Sequence, residues 1–155
     1  MEVKEILRNL REKNHLTQEQ MAERINVTRQ AVSRWETGMT QPNPELLKVL
    51  SREFGVSINT LLGSPQTLYC QCCGMPLTDD SMISHEHDGS FNEDYCKWCY
   101  GDGKFLMDCT MDEMIEHCAQ FLDEVNKGLP KPITREEYIA QMKMYFPQLK
   151  RWRKA

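Results

Sequence analysis

Apolar residues recur three and four positions apart through the N-terminal part of the chain, with short polar segments between the runs. This spacing places apolar side chains on one face of a helix. It predicts five short helices, the first of them from residue 3 to residue 13. Thr17, Thr28 and Ser57 are suited to cap the second, third and fifth helices. Pro44 suits the first turn of the fourth.

The second and third predicted helices have the residue types that two steeply crossing helices require. Counted from Gln18, the small residue Ala22 is fifth and Asn26 is ninth. Ala22 permits close approach of the two helices, and Asn26 tolerates the positive φ of a sharp turn. The apolar positions that would form the wedge between the helices are Met21, Ile25, Val32 and Trp35. This spacing predicts a DNA-binding helix-turn-helix.

Over nearly all of residues 1–63 the chain resembles the Cro/repressor (XRE-like) helix-turn-helix domains, in the runs LREKNHLTQEQMAERINVTRQAVSRWETG and PNPELLKVLSREFGVSINTLLG. The resemblance implies a five-helix, lambda-repressor-like DNA-binding domain. It implies that Gln18 contacts the DNA backbone and that a partly buried ion pair joins Arg11 to Glu36. It places five residues on the groove-facing side of the third helix: Thr28, Arg29, Gln30, Ser33 and Arg34.

The chemistry of the third helix agrees with these roles. Arg29 and Arg34 carry forked donors suited to guanine or phosphate, and Gln30 can pair with adenine through two hydrogen bonds. The alternative is that these side chains form an ordinary solvated helix face. Because the face belongs to a complete helix-turn-helix, we favour DNA recognition.

All seven cysteines follow residue 69, and four of them form two Cys-x-x-Cys pairs separated by 22 residues. In a reducing cytosol such a density favours metal ligation over disulfide bonds. Two such knuckles can present four thiolates tetrahedrally, which leaves no open position for catalytic water. The sequence therefore predicts a structural zinc site with the ligands Cys70, Cys73, Cys96 and Cys99.

Residues 70–105 are rich in turn residues and poor in helix signals, which suits short strands around a metal ion. The runs CQCCGMPL, EHDGSFNEDYCKWCYGDGKF and YFPQLKRW resemble a zinc-ribbon family often found in bacterial regulators. The resemblance covers most of residues 69–152 and implies little about mechanism. Cys72 departs from the family pattern, and it could compete with Cys70 as a ligand. The two-residue spacing favours Cys70 with Cys73.

Two capping boxes predict two helices after the ribbon, one beginning after Thr110 and one after Thr134. The apolar face of the first is expected to run from Met111 to Val125, and that of the second from Tyr138 to Phe146. These faces could cover a ribbon too small to hold a core alone. They could also form a dimer interface or a partner groove, and the sequence leaves this choice open.

The organisation predicted is mainly α, with a helix-turn-helix domain over residues 1–63 and a linker over 64–69. The zinc ribbon over 70–105 and a helical extension over 106–155 follow. Residues 78–126 hold 2 basic and 13 acidic side chains, a balance that should repel DNA phosphates. The last 29 residues hold 8 basic and 2 acidic side chains, and we expect this tail to pack against the acidic ribbon.

An enzyme is the least favoured class, although His85-Glu86-His87 precedes a Cys-x-x-Cys pair. Zinc deaminases need a Glu two residues after the ligand and a Pro before the pair, whereas this chain has His87 and Tyr95 there. We therefore expect the two histidines to be loop residues. The sequence also contains no apolar run long enough for a membrane span.

The function predicted is sequence-specific binding of double-stranded DNA by a cytoplasmic homodimer, most simply as a repressor that occupies an operator. In one alternative the C-terminal half senses metal or oxidant through Cys72, Cys109 or Cys118. In the other the chain is an adaptor that binds a protein partner through the ribbon or the C-terminal helices.

Overall fold

The computed structural model describes residues 1–154 and is mainly helical. The N-terminal half contains five helices, which agrees with the number and order predicted. They are α1 (Val3–Lys13), α2 (Gln18–Arg24), α3 (Arg29–Glu36), α4 (Pro44–Phe54) and α5 (Ile58–Leu61).

Side-chain caps fix where these helices begin. The Thr17 hydroxyl oxygen accepts a hydrogen bond from the Gln20 main-chain amide, and the Gln20 side-chain oxygen accepts one from the Thr17 main-chain amide. Thr28 and Ser57 cap α3 and α5 in the same manner, each accepting from the amide three residues later. A cap satisfies an amide that has no partner within its helix, which stabilises the helix by about 1 kcal/mol. The three predicted caps are confirmed.

The turn between α2 and α3 has the predicted backbone conformation. Asn26 lies in the left-handed region with φ 55°, which reverses the chain between the two helices. His15 has the same φ of 55° between α1 and α2, a turn that no comparable sequence pattern predicted.

One apolar cluster holds the five helices together. Met21 and Ala22 of α2 face Val32 and Trp35 of α3, all four at most 5% exposed. Burial of a side chain of the size of Met or Val contributes about 1.5–3 kcal/mol. The other buried apolar side chains of the cluster are Leu7, Leu10, Ile25, Leu47, Leu50 and Leu61. The predicted wedge is therefore the centre of this core.

An ion pair ties α1 to the end of α3. Arg11 Nε donates to Glu36 Oε1 at 2.6 Å and Arg11 Nη2 donates to Glu36 Oε2 at 3.0 Å. Burial of the Glu36 carboxyl opposes ionisation, but the hydrogen bonds from Arg11 and Gln18 outweigh it and lower the pKa of Glu36. The ion pair implied by the resemblance is confirmed.

The C-terminal half begins with three two-stranded antiparallel ladders. Strand β1 (Leu68–Tyr69) pairs with β2 (Pro76–Leu77), β3 (Ile83–His85) with β4 (Phe91–Cys96), and β5 (Tyr100–Gly101) with β6 (Lys104–Phe105). In the second ladder Ile83 lies opposite Cys96 while Ser84 lies opposite Asn92. Residues 93–95 therefore form a bulge in β4.

Three helices follow the strands, where two were predicted. They are α6 (Met111–Ala119), α7 (Leu122–Lys127) and α8 (Arg135–Tyr145). Both predicted capping boxes are present, at Thr110 and at Thr134. The first predicted helix divides because the amides of Gln120 and Phe121 each bond to the carbonyl three residues back. Phe121 is 52% exposed as a result, so the expectation that it continues a buried face is wrong.

The C-terminal helices pack on the strands. Met114 and Ile115 of α6, Met142 of α8 and Phe146 just after α8 are each at most 4% exposed, and they share one core with the buried cysteines. These apolar faces therefore cover the cysteine-bearing strands. Lys150 pairs with Asp94 of the bulge, as expected for a basic tail on an acidic surface.

In residues 1–154, no helix has both the length and the apolar composition that crossing a bilayer requires.

We predict that Arg11→Ala destabilises the N-terminal domain by about 3 kcal/mol, because the buried Glu36 would keep only the weaker pair with Arg8, at 4.0 Å. Urea unfolding of the full chain, followed through amide resonances of residues 3–61, measures the loss. Lys48→Ala, which removes an exposed pair with Glu45, is the control and should change stability by less than about 1 kcal/mol. Equal effects from the two variants would contradict a structural role for the ion pair.

The same pair gives a pH dependence. Because the pKa of Glu36 is lowered in the folded state, the pair contributes its full stabilisation above the ordinary pKa of 4.5. The stabilisation is lost as the pH falls through the lower, folded pKa.

Candidate DNA-binding surface and metal centre

Helix α3 presents a row of exposed polar side chains. Arg29, Gln30 and Arg34 are exposed, and among residues 1–154 their side chains form no hydrogen bond or ion pair. Ser33 is half-buried on the same helix, and the Thr28 hydroxyl caps its first turn. The opposite side of α3 carries Val32 and Trp35 in the core. The packing of the apolar side therefore leaves free guanidinium and amide donors on the solvent side.

Gln18 differs from these residues because its side chain has a partner within the protein. Its Nε2 donates to Glu36 Oε2 at 3.0 Å, and the residue is half-buried at the start of α2. The Gln18 side chain thus supports the Arg11–Glu36 ion pair. The family resemblance implied only a DNA contact for Gln18 and did not indicate this structural role.

Four cysteine sulfurs converge in the C-terminal half. The Sγ atoms of Cys70, Cys73, Cys96 and Cys99 all lie within 4.8 Å of one another, and Cys73 Sγ is 3.9 Å from Cys96 Sγ. Zinc–sulfur bonds of about 2.3 Å in a tetrahedron place the sulfurs about 3.8 Å apart. The four sulfurs therefore have the spacing and the chemistry of a tetrahedral thiolate site, and they form a cluster that can hold a metal ion.

Each Cys-x-x-Cys pair lies in a tight turn. In the first, the Gly74 amide donates to the Cys70 carbonyl and the Cys70 amide to the Met75 carbonyl, both at 2.8 Å. Gly74 has φ 76°, and a Cβ there would lie 2.9 Å from the Tyr145 ring. In the second, the Cys99 amide donates to the Cys96 carbonyl at 3.0 Å. The two turns therefore aim their sulfurs at a common point.

The cysteine side chains also form hydrogen bonds with one another. Hydrogen bonds from Cys73, Cys96 and Cys99 lower the pKa of the Cys70 thiol, whereas the bond to Cys70 raises that of Cys73. A metal ion displaces the protons of cysteine thiols when it binds, so four sulfurs this close together can ligate it as thiolates.

Cys72 lies beside the cluster but is not one of the four converging residues. Its side chain is fully buried, and Arg151 Nη1 donates to its sulfur at 3.2 Å. Trp152 Nε1 donates to the Cys72 carbonyl at 2.7 Å. The backbone and side chain of Cys72 therefore anchor the C-terminal segment.

Arg151 makes contacts beside the cysteine cluster that the sequence did not predict. Its Nη2 donates to the Met107 carbonyl at 2.6 Å, and its guanidinium lies 4.1 Å from the centre of the Phe105 ring and 4.4 Å from that of Trp152. This places a fixed positive charge beside a group of cysteine sulfurs. The one sequence feature that could have indicated these contacts is the run KRW at residues 150–152.

The two histidines lie outside the cysteine cluster. His85 is on β3, where its ring packs on Phe91 with centroids 4.4 Å apart, so its placement in a loop is wrong. His87 Nδ1 lies 2.6 Å from Asp102 Oδ1, and this partner raises the pKa of His87. Within residues 1–154, the four cysteines are the one group of His, Cys and carboxylate side chains with metal-ligand spacing.

Two family matches cover most of the chain. Residues 7–61 match the family described as "Helix-turn-helix". Residues 69–153, more than half of the chain, match the family described as "Putative zinc ribbon domain". The chain belongs to this zinc ribbon family. Its N-terminal half is a helix-turn-helix domain of the XRE type, so both family resemblances are confirmed.

A relative of this zinc ribbon protein shares 46% identity with it over 68 residues. The relative is named "HTH-type transcriptional activator BcrR" and comes from Enterococcus faecalis. The match includes 44% of this chain and 33% of the relative, so the chain spans about a third of the length of that protein. Over the matched segment, the chain is therefore similar to a protein named as a helix-turn-helix transcription regulator.

We predict that Arg151→Met destabilises the zinc ribbon by about 1–3 kcal/mol, because the buried acceptors at Met107 and Cys72 would lose their donor. Hydrogen exchange at the amides of residues 68–119 measures the change. Lys150→Met is the control, since it removes the same charge from the neighbouring residue but breaks only an exposed pair. Unchanged exchange in Arg151→Met would show that the guanidinium contacts contribute no stability.

Proposed function

We propose that the protein is a transcription regulator that recognises specific DNA sequences through α3. The observation that carries this proposal is the row of unpartnered donors at Arg29, Gln30 and Arg34 on a packed helix-turn-helix. Arginine pairs with guanine and glutamine with adenine through two hydrogen bonds in the major groove. Thr28 and Ser33 flank these donors at the groove.

We propose that Gln18 contacts the DNA backbone through the start of α2. Its side-chain amide is held by Glu36 and the Gln20 amide is capped by Thr17, but the main-chain amides of Gln18 and Glu19 lie at the open start of the helix. A helix N-terminus favours a phosphate at this position. Gln18 then links the DNA backbone contact to the ion pair that stabilises the domain.

We propose zinc as the metal held by Cys70, Cys73, Cys96 and Cys99, with a structural role. Four thiolates fill the tetrahedral shell of Zn²⁺ and leave no position for a substrate or for catalytic water. When bound, the ion supplies cross-linking of the two turns. Cys72 is not a ligand in this proposal, and its sulfur accepts a hydrogen bond from Arg151.

We propose that the protein acts as a homodimer, because one recognition helix reads only a few base pairs. Repression by occupying an operator needs only this binding, so we propose that mode.

The relative's name describes that protein as an activator, and activation would require a contact with a further protein. The exposed aromatic and apolar side chains of the zinc ribbon, among them Trp98, offer a surface for such a contact.

The thiol-responsive alternative receives less support from the packing. Cys72 and Cys118 are buried, which keeps an oxidant from their sulfurs. The hydrogen bonds from Cys99 and Arg151 lower the pKa of Cys72, so burial alone protects it, whereas burial also raises the pKa of Cys118 to about 12. Burial also raises the pKa of Cys109, which is half-buried. A thiol with a raised pKa holds little thiolate at neutral pH and reacts slowly with an oxidant.

We predict one zinc ion per chain, and its loss in a Cys96→Ser, Cys99→Ser double variant. Two serines remove half of the ligand set, so the ribbon should unfold while the N-terminal domain stays folded. Metal analysis measures the zinc content, and amide resonances report folding in each half. Cys109→Ser, which changes a cysteine outside the cluster, should keep the metal. Full zinc occupancy in the double variant, or none in protein purified without chelator, would contradict the assignment.

We predict that Arg29→Ala and Gln30→Ala each weaken binding to the preferred DNA site by about 1–3 kcal/mol and relax base preference at one position. Gln18→Ala should weaken binding to all sequences more evenly, because loss of the hydrogen bond from Gln18 to Glu36 loosens the start of α2, which makes the proposed phosphate contact. Mobility shifts at fixed salt on preferred and unrelated DNA measure both effects.

Lys13→Ala is the control for these variants, since it removes a positive charge from an exposed position outside the proposed surface. It should leave the base preference unchanged. An unaltered binding profile after combined replacement of Arg29, Gln30 and Arg34 would show that the recognition surface lies elsewhere.

A further inference from the structure

Two carboxylates of the zinc ribbon meet the N-terminus of α5 in the DNA-binding domain. Asp80 Oδ2 accepts from the Ser57 amide at 2.9 Å, and Asp80 Oδ1 accepts from the Ser57 hydroxyl at 2.6 Å and the Thr60 hydroxyl at 2.9 Å. Glu93 Oε1 accepts from the Asn59 amide at 2.9 Å. Asp80 and Glu93 thus satisfy two amides at the start of α5 that have no partner within the helix.

These contacts are shielded from water. Ser57 is 1% exposed, and Asp80 and Glu93 are half-buried. Hydrogen bonds to an ionised acceptor are about twice as strong as those between neutral groups. A third contact between the two domains, Arg52 with Asp88 at 3.7 Å, involves side chains that are 49% and 60% exposed, so it adds little. These two half-buried carboxylates therefore dominate the polar contacts across this boundary.

The positions of both carboxylates depend on the second cysteine turn. Asp80 begins a short 3-10 turn (Asp80–Met82), and the Met82 carbonyl at its end accepts from the amide of Lys97. Glu93 is the first residue of the bulge in β4, and the bulge ends at Tyr95, directly before Cys96. A bulge redirects a side chain out of the ladder, here towards α5. Loss of order at Cys96 and Cys99 would therefore displace both acceptors.

We propose that Asp80 and Glu93 form an interdomain clamp, which fixes the DNA-binding domain on the zinc ribbon only while the four cysteines hold a metal ion. The clamp rests on the proposed metal centre and is independent of DNA binding. Its partner is a surface of the same chain, at α5. Metal loss would release the DNA-binding domain from the ribbon without unfolding it, because the domain has its own core.

Nitrogen-15 relaxation of the full-length, zinc-loaded chain without DNA tests the clamp. In the wild type, residues 3–61 and residues 68–146 should share one rotational correlation time. In Asp80→Ala, Glu93→Ala they should show two separate and shorter correlation times, with dispersed amide resonances in both halves. The control is Asp112→Ala, Glu124→Ala, which removes two exposed acidic side chains from α6 and α7 and should keep common tumbling.

Should the double alanine variant fold poorly, Glu93→Ala and Thr60→Val provide single changes on the two sides of the boundary. Each should increase interdomain motion relative to the control. A chelator added to the wild type should abolish common tumbling while residues 3–61 stay folded. Common tumbling in the double variant or in the chelated protein, or separate tumbling in the zinc-loaded wild type, would overturn the proposal. Metal analysis of the same samples distinguishes this result from failure of the proposed zinc site.

Discussion

The convergence of four cysteine sulfurs organises the C-terminal half of this protein. Its strands are two to six residues long and form three separate two-stranded ladders, which are marginal by themselves in water. The Sγ atoms of the two turns lie within 4.8 Å of one another, and the apolar faces of α6 and α8 cover them. Arg151 adds a positive charge at the edge of the cluster. The strands, the two covering helices and the C-terminal segment all pack around this cysteine cluster.

The N-terminal half reaches stability by a different route. Its five helices enclose a continuous apolar core, and the Arg11–Glu36 pair joins α1 to α3. Because the core uses one side of α3, the other side is free for DNA. The acidic ribbon would repel DNA phosphates, but it accepts hydrogen bonds at α5. The acidic ribbon thus contacts the DNA-binding domain at α5, whereas the proposed DNA surface is on α3.

Sequence patterns were sufficient where the cause of the structure is local. The caps at Thr17, Thr28 and Ser57 and the positive φ of Asn26 depend on neighbouring residues, and all are present. The spacing of the Cys-x-x-Cys pairs likewise anticipated which sulfurs meet. The division of α6 from α7 was missed because the apolar spacing continues through the break. Arg151 with Cys72, and Asp80 with Ser57, were missed because they join residues 79 and 23 positions apart.

Selection of bound DNA from a random-sequence library tests the central claim most directly. The full-length, zinc-loaded chain would be incubated with the library at physiological salt, and the bound fraction would be sequenced after successive rounds. Dimeric recognition through α3 predicts one enriched motif with twofold symmetry and half-sites about one helical turn apart. It also predicts that replacing Arg29, Gln30 and Arg34 together removes the enrichment. Failure to enrich any motif, or the same motif with the replaced residues, would contradict the account.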